Sequence, residues 1–487
     1  MIIRRVKAPP RLVMFLSFGG TSVLNYGFSL IMGWLLLPGD FGWLAFAQAT
    51  ILVAGLVLQQ GFTWSLARAV ANADGRTRRD ELVRGALVAN IMLACAMGVT
   101  LAGLFAAGPL RSGLETGKVA ALIASTFLFI SLAATARGCA QGSERFFMVA
   151  SLQVTEIVCK VLVGTGLVLL GFGVTGAVAG FLIGGMAATA LGFYYLTCRL
   201  RVQLWGSIEL PTLRLAGPMF IALLGLSLLL NLDIAALKLL TNERALVGYY
   251  QAGLVLANAP YYLVTVGFIQ VLFVRLARLE TLTATREAVG EALSLIVSLI
   301  FPIEIIIMIM PEQALLALFP DSYAPGAPAL RLLALGNDLL IMVAVLSSAF
   351  QAIGQAKVPA LLLLTTVTLE SLALWAVVPT YEAVGAASVF VAASALALLA
   401  LGAIYLREAG KEGVERAAAW ILRYVVTIGI GMATGYVAFE LSLGVNGAIV
   451  VGGICYLLAV FTLGLVDALA LLDRVAHFRR TEVSGGN

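Results

Sequence analysis

Apolar runs long enough to cross a bilayer recur along this chain from one end to the other, and no other feature narrows the fold as far. In hydrocarbon every backbone N–H and C=O must be satisfied within the protein, so a spanning segment is either a helix or a strand of a closed barrel. The alternating ten-residue pattern of a barrel is missing, so the spans are helices. Splitting the chain at charged or Gly/Pro-containing breaks gives about fourteen of them. They lie near 11–37, 41–71, 82–108, 117–140, 146–170, 174–198, 213–240, 246–275, 288–310, 325–353, 358–379, 383–406, 415–441 and 445–472. Composition agrees: 61% of residues are hydrophobic and 12% charged, and a mean hydropathy of +1.01 lies outside the range of a soluble domain.

Lys and Arg test this count, because a missed helix would scramble their distribution among alternate loops. Of the 31 basic residues, 25 fall on the side of the termini, and only Arg111, Lys118 and Arg244 fall in opposite loops. Both termini are therefore expected in the cytoplasm. Anionic lipid at that face accounts for the clustering of charge, so no nucleic-acid partner is implied. The basic start "MIIRRVKAPPRLVMF" is followed by no small-residue cleavage site, and the first span is expected to be retained. The five cysteines lie in or at the ends of apolar runs without paired spacing, and His477 is the single histidine. No metal site is expected, and Ser-His-Asp hydrolysis is excluded. The one long outward loop is "MPEQALLALFPDSYAPGAPAL", and no soluble domain is expected.

Three pairs of segments match in order along the two halves. "FAQAT" and "YYQAG" set Gln48 opposite Gln251, with Arg68 opposite Arg275 at the far ends of the same spans. "CAQGSERF" matches "QAIGQAKV", and "GVTGAVAG" matches "EAVGAASV", all at offsets of about 203–212 residues. The matched helices run in the same direction, which implies two six-helix lobes related by an axis along the membrane normal. The expected organisation is an N-lobe over 1–200, a C-lobe over 201–408, and two further helices with a basic tail over 409–487.

The run "NLDIAALKLLTNERALVGYYQAGLVLANAPYYLVTVGFIQVLFVRLAR", followed by "LFPDSYAPGAPALRLLALG" and "AFQAIGQAKVP", resembles the polysaccharide-transporter branch of the multidrug/oligosaccharidyl-lipid/polysaccharide flippases. The resemblance covers spans one to twelve. It implies facing lobes around a cavity that opens alternately to either side of a bacterial inner membrane. It also implies a polyprenyl-pyrophosphate-linked oligosaccharide as substrate, on its way to a surface polysaccharide, with membrane lipids and other polysaccharide assembly proteins as partners. In the lipid II flippase branch a cation site combines an acid of the seventh helix with polar groups of the eleventh; Asp233 with Thr365, Thr366 and Glu370 is similar in placement.

Charges inside the spans mark candidate sites, since one ionised group at the bilayer centre costs roughly 2.5–3.5 kcal/mol on insertion scales. Glu156 and Lys160 straddle the middle of the fifth span at i,i+4 and share a helix face. They form either a self-satisfied ion pair or the lining of a wet cavity, with Lys160 attracting a pyrophosphate or acidic sugar and Glu156 tuning it. Asp233, Glu304, Asp338 and Glu370 lie at similar depth in the other lobe, Glu370 near the expected counterpart of Glu156. Asp233 is read as functional, a coupling group for H+ or Na+. Glu304 and Asp338 are read as structural, with Arg331 two turns from Asp338 on one face. Arg68 and Arg275 would flank a cavity mouth, with Arg137 as a further cation. Asn25, opposite Asn231 or Asp233, would contact sugar or bridge helices. Pro218, Pro260 and Pro302 interrupt spans seven to nine. No cofactor is expected beyond the coupling ion.

Two other functions compete with a flippase. A drug exporter of the same superfamily would want an acidic, aromatic cavity, whereas Lys160 and the paired arginines suit an anion. A membrane polymerase or glycosyltransferase would need acid/base residues in a large outward loop, and the long loop offers only Glu312 and Asp321.

Overall fold

The computed structural model describes residues 10–107, 114–209, 217–241, 243–264, 282–438, 440–441 and 444–462, with isolated positions between 265 and 281. Both ends of the chain, and with them the tail carrying His477, lie outside the described residues. Helix follows helix: α1 (Pro10–Leu35), α2 (Pro38–Gly55), a π-helical turn Leu56–Gly61, α3 (Phe62–Ala71), α4 (Arg76–Ala107), α5 (Leu114–Gly142), α6 (Phe146–Leu167), α7 (Gly173–Tyr194), α8 (Pro218–Leu229), α9 (Leu232–Leu240) and α10 (Arg244–Leu263). Then come α11 (Leu282–Ile309), α12 (Pro311–Leu316), a 3-10 turn Asp321–Gly326, α13 (Ala327–Ala352), α14 (Lys357–Ala438) and α15 (Gly444–Thr462). Among the described residues, seven helical stretches are long and apolar enough to cross a membrane, or eight if the bent pair α8–α9 is one span.

Two of those stretches double back. In Phe146–Arg199, Gly171 and Gly173 take φ of 91° and 52°, and α7 returns antiparallel along α6. A stripe of small residues makes this contact close: a Cβ on Gly176 would lie 2.9 Å from Leu167 Cβ, on Gly180 2.7 Å from Gly164 Cα, and on Gly184 2.5 Å from the Glu156 carbonyl. In lipid, such stripes replace the hydrophobic effect as the source of helix association, by van der Waals packing of backbone on backbone. Gly180→Leu should therefore destabilise the protein in detergent by about 1–3 kcal/mol or more through overpacking. Gly166→Leu, on the same hairpin with nothing within 4 Å of its added Cβ, should leave the melting temperature near native. In α14 the reversal occurs at Glu382, φ 48°, where a Cβ on Gly385 would lie 3.0 Å from Val377 Cγ1; residues eight apart cannot touch so in a continuous helix.

The left-handed residues Gly173 and Glu382 are 209 positions apart, and a second pair of turns repeats the correspondence. After α5, the Arg145 N–H donates to Ala140 O (2.8 Å) and Glu144 N–H to Gln141 O; after α13, Gln355 N–H donates to Phe350 O (2.8 Å) and Gly354 N–H to Gln351 O. Both are Schellman closures with a left-handed residue, Glu144 (φ 56°) or Gly354 (φ 83°), at the position after the helix cap. The duplication is thus present in backbone geometry as well as in letters.

Three details depart from expectation. Pro218 does not interrupt the seventh span but opens it at the first turn of α8, where its missing N–H is not needed; the 45° bend falls between α8 and α9, at Asn231 (φ −136°). Pro260 and Pro302 do lie inside α10 and α11. The polar stretch 407–416, expected as a loop between the twelfth and thirteenth spans, is helical within α14, in keeping with its content of Arg, Glu, Lys and Ala.

Candidate functional site

Glu156 and Lys160 do not pair with each other. The Cβ position of Gly184 on α7 lies 2.5 Å from the Glu156 carbonyl and 3.2 Å from Lys160 Cβ, and the two side chains find partners on different helices. Glu156 accepts a charge-assisted hydrogen bond from Arg137 Nη2 of α5. Lys160 Nζ donates to Asn25 Oδ1 of α1 and lies over two rings, 4.8 Å from the centroid of Phe28 and 4.5 Å from that of Phe181, which themselves meet edge to face. Hydrogen bond and cation–π contacts together offset the cost of a cation that is only 5% exposed. Asn25 is exposed, so the ammonium is one hydrogen bond from open space.

The Arg137–Glu156 pair has side chains 7% and 23% exposed. Removing one partner of such a pair leaves a charge uncompensated, so Arg137→Ala should cost about 3 kcal/mol in thermal unfolding. The double variant Arg137→Met, Glu156→Leu should recover most of that loss.

In the other lobe Asp233 of α9 is fully buried, Glu370 of α14 is 1% exposed and Thr366 3%. Asp233 accepts hydrogen bonds from the Tyr250 hydroxyl of α10 (2.5 Å) and from the Ile234 N–H (2.8 Å). Glu370 lies within electrostatic reach of Asp233, and neither of its carboxyl oxygens has a hydrogen-bond partner. Thr366, one turn before Glu370, directs its hydroxyl hydrogen to Leu362 O (2.9 Å), leaving oxygen lone pairs for another partner. Thr365 is not with them: it sits on the exposed stripe of α14 with Leu361, Leu364, Thr368 and Leu369, and its hydroxyl bonds Leu361 O. Asn231 also turns away, to Ser227 O at 2.7 Å.

The backbone correspondence of 209–210 residues corrects the register of the repeat. It sets Glu370 against Lys160, not against Glu156, whose counterpart is Thr366; Phe390 answers Phe181. Asn25 and Asp233 occupy the matching helices. The N-lobe therefore holds a lysine on an amide at the place where the C-lobe holds two carboxyls, neither in an ion pair among the described residues.

Arg68 and Arg275 are both exposed; Arg275 pairs with Glu291 at 3.1 Å. At the opposite end of the same spans the lobes meet. The Cβ position of Gly42 on α2 lies 2.8 Å from Gly248 N of α10, that of Gly39 3.5 Å from Arg244 Cβ, and Gly248 abuts the Pro38 carbonyl. Lys238 Nζ stands 3.7 Å above the Trp43 ring. The long loop supplies the plug: Phe319 and Tyr323 pack on Phe41 at 6.1 and 5.8 Å, the Tyr323 hydroxyl donates to Leu36 O at 3.1 Å, and Trp34 Nε1 donates to Leu318 O at 2.8 Å. Tyr250, Phe28, Phe181 and this plug escaped the sequence reading, since an aromatic within an apolar span carries no periodic or charge signal; only the adjacency of Tyr250 to the repeat residue Gln251 hinted at it.

Arg331, expected beside Asp338, is exposed whereas Asp338 is 4% exposed, and none of the ion pairs among the described residues joins them.

Apolar helices of spanning length, with a buried polar cluster in each half, define a multi-span helical membrane protein. The lipid II flippase MurJ in an inward closed conformation matches 92% of the chain, over 98% of its own length, with a TM-score of 0.74 and 14% identity. A multidrug resistance MATE family transporter of the MOP superfamily matches in its inward-facing conformation over 82% of this chain and 95% of that one (TM-score 0.61, 17% identity). An outward-facing MATE family transporter of that superfamily covers 85% and 97% (0.52, 16%). The chain belongs to the polysaccharide biosynthesis protein family, whose sequence model matches residues 31–328. No curated protein sequence matches it.

Proposed function

We propose that this protein is a flippase that carries a polyprenyl-pyrophosphate-linked oligosaccharide across a bacterial inner membrane, for assembly of O-antigen, capsule or exopolysaccharide, by alternating access coupled to H+ or Na+. The lipid tail stays in the bilayer. The pyrophosphate is drawn from the cytoplasm by Arg68 and Arg275, and the headgroup passes the Asn25–Lys160 cluster, with Arg137 and Glu156 fixing α6 behind it. The coupling cation binds between Asp233 and Glu370, with Thr366 as a neutral ligand; Thr365, on the exposed stripe, is left out of this set.

The observation that carries this reading is the match of Lys160 to Glu370 across the repeat. Where one lobe has a tethered ammonium, the other has two carboxyls in electrostatic reach and two oxygens without partners, which favours a mobile cation there. Membership of a polysaccharide biosynthesis family and the fold shared with a lipid II flippase support the substrate class. A multidrug exporter fits less well, because a buried lysine and basic residues at the mouth disfavour organic cations.

The first test is rescue of strains that lack a flippase for a known surface polysaccharide and accumulate its lipid-linked intermediate. Rescue of at least one such strain, abolished by Lys160→Ala, is expected. Rescue by Lys160→Ala equal to native, or drug resistance conferred without any rescue, would contradict the assignment.

A further inference from the structure

We infer that the strap of residues 200–209, which follows α7, is a membrane-surface anchor: it carries Trp205 and Ile208 into the headgroup layer at the end where α4 begins, among arginines that bind anionic lipid. Trp205 is 91% exposed and Ile208 55%, yet the backbone that bears them is firmly held. Arg84 of α4, only 6% exposed, donates from Nε to Ser207 O (2.6 Å) and from Nη1 to Gln203 O (2.6 Å) and Trp205 O (3.3 Å). Asp80 accepts from the Gln203 N–H (3.1 Å), Arg79 donates to Leu200 O (3.1 Å), and the Glu209 N–H donates to Glu81 O (3.2 Å). Gly206, at φ 134°, closes on the guanidinium, its Cβ position 3.3 Å from Arg84 Cζ. A buried arginine bonded to three loop carbonyls fixes the course of the strap, and that course leaves the tryptophan outside.

The place of the strap on α4 sets its depth. The apolar helix Arg76–Gly103 has 28 residues, whereas the hydrocarbon core needs about 20, and all of its charged residues, from Arg76 to Arg84, lie in the first three turns. The surplus therefore stands among headgroups at this end. The strap bonds to residues 79–84, and Val88 is the first apolar residue of α4 that is exposed, followed by Ile91 and Met92. Trp205 is thus one to two turns, roughly 6–11 Å along the axis, from the stripe that faces lipid, at the depth where tryptophan gathers in membrane proteins. Arg199 and Arg201 border the strap and Arg76 opens α4; all three are exposed, and none of the ion pairs among the described residues engages them. Arg78, by contrast, is engaged by Asp74 and Glu209. Guanidinium groups level with an interfacial tryptophan fit the phosphates of anionic lipid, and continuity with the lipid-facing stripe of α4 favours lipid over a protein partner.

Spin-label spectroscopy of the full-length protein in proteoliposomes containing phosphatidylglycerol tests this, with the five native cysteines replaced. A nitroxide on Ile208→Cys should collide with dissolved oxygen in preference to a water-soluble nickel chelate, the reverse of the same label on Asp74→Cys, whose side chain is 98% exposed. Trp205→Ser should shift the Ile208→Cys label toward the nickel chelate. So should exchange of phosphatidylglycerol for phosphatidylcholine, and in the double variant Arg199→Gln, Arg201→Gln that exchange should have no effect. A label on Ile208→Cys as open to nickel as that on Asp74→Cys, or screened from both reagents by protein, would overturn the anchor. Oxygen contact that changes neither with Trp205→Ser nor with loss of phosphatidylglycerol would overturn it equally.

Discussion

Glu370→Lys is expected to make the C-lobe a copy of the N-lobe, with a tethered ammonium in place of an exchangeable cation. Native protein should be stabilised by its coupling ion, by about 2.7 kcal/mol when the ion is at a hundred times its Kd. In Glu370→Lys the melting temperature in lipid nanodiscs should no longer respond to Na+ or to pH, because the site is permanently filled. Uphill transport driven by a cation gradient should fall at least about 100-fold, as expected when a charge-assisted interaction of about 3 kcal/mol is lost. Glu370→Gln separates charge from occupancy: it should lose the ion response as well, but without the added stability of the lysine. A Glu370→Lys protein that still melts higher with added Na+, or lower with its removal, would mean that the ion binds elsewhere.

The second large effect concerns the seam between α2 and α10. Because a Cβ on Gly39 would stand 3.5 Å from Arg244 Cβ, within the range of a disulfide, cysteines at these two positions should cross-link without moving either helix. The pair is best built with Cys95, Cys139, Cys159, Cys198 and Cys455 replaced. Oxidation should then abolish transport by holding the lobes together at this end, and a reductant should restore it fully. The reduced variant controls for the loss of Arg244. Transport that continues through an oxidised, fully cross-linked sample would show that this seam does not open during the cycle.

The sequence was most legible where physics acts on whole segments. Spans follow from hydropathy, and the two lobes follow from weak matches whose common spacing is then seen in the turns at Glu144 and Gly354 and at Gly173 and Glu382. Individual partners were less legible. Letter matching aligned Gly142 with Gly354, but the residue that takes the left-handed conformation is Glu144, two positions on; this small slip was enough to pair Glu370 with the wrong residue of α6. The i,i+4 spacing allowed Glu156 to pair with Lys160, but each side chain takes a partner from another helix, Arg137 and Asn25, which no local rule can supply. Thr365 was grouped with Thr366 as a neighbour in the chain, yet adjacent helical residues point about 100° apart, one to the exposed face and one to the core. The long loop was weighed only for acidic catalysts, when its Phe319 and Tyr323 were the informative residues.

The central claim is that the cluster around Lys160 handles an acidic headgroup while Asp233 and Glu370 supply the driving ion. Translocation of a labelled polyprenyl-pyrophosphate oligosaccharide in proteoliposomes, with and without an imposed H+ or Na+ gradient, measures both at once. Native protein should move the lipid faster with one of the gradients. Lys160→Ala should slow it in every condition by about 10–100-fold, as loss of a charge-assisted contact implies, and Asp233→Asn should abolish the gradient's effect. Undiminished, gradient-driven translocation in both variants would contradict the account.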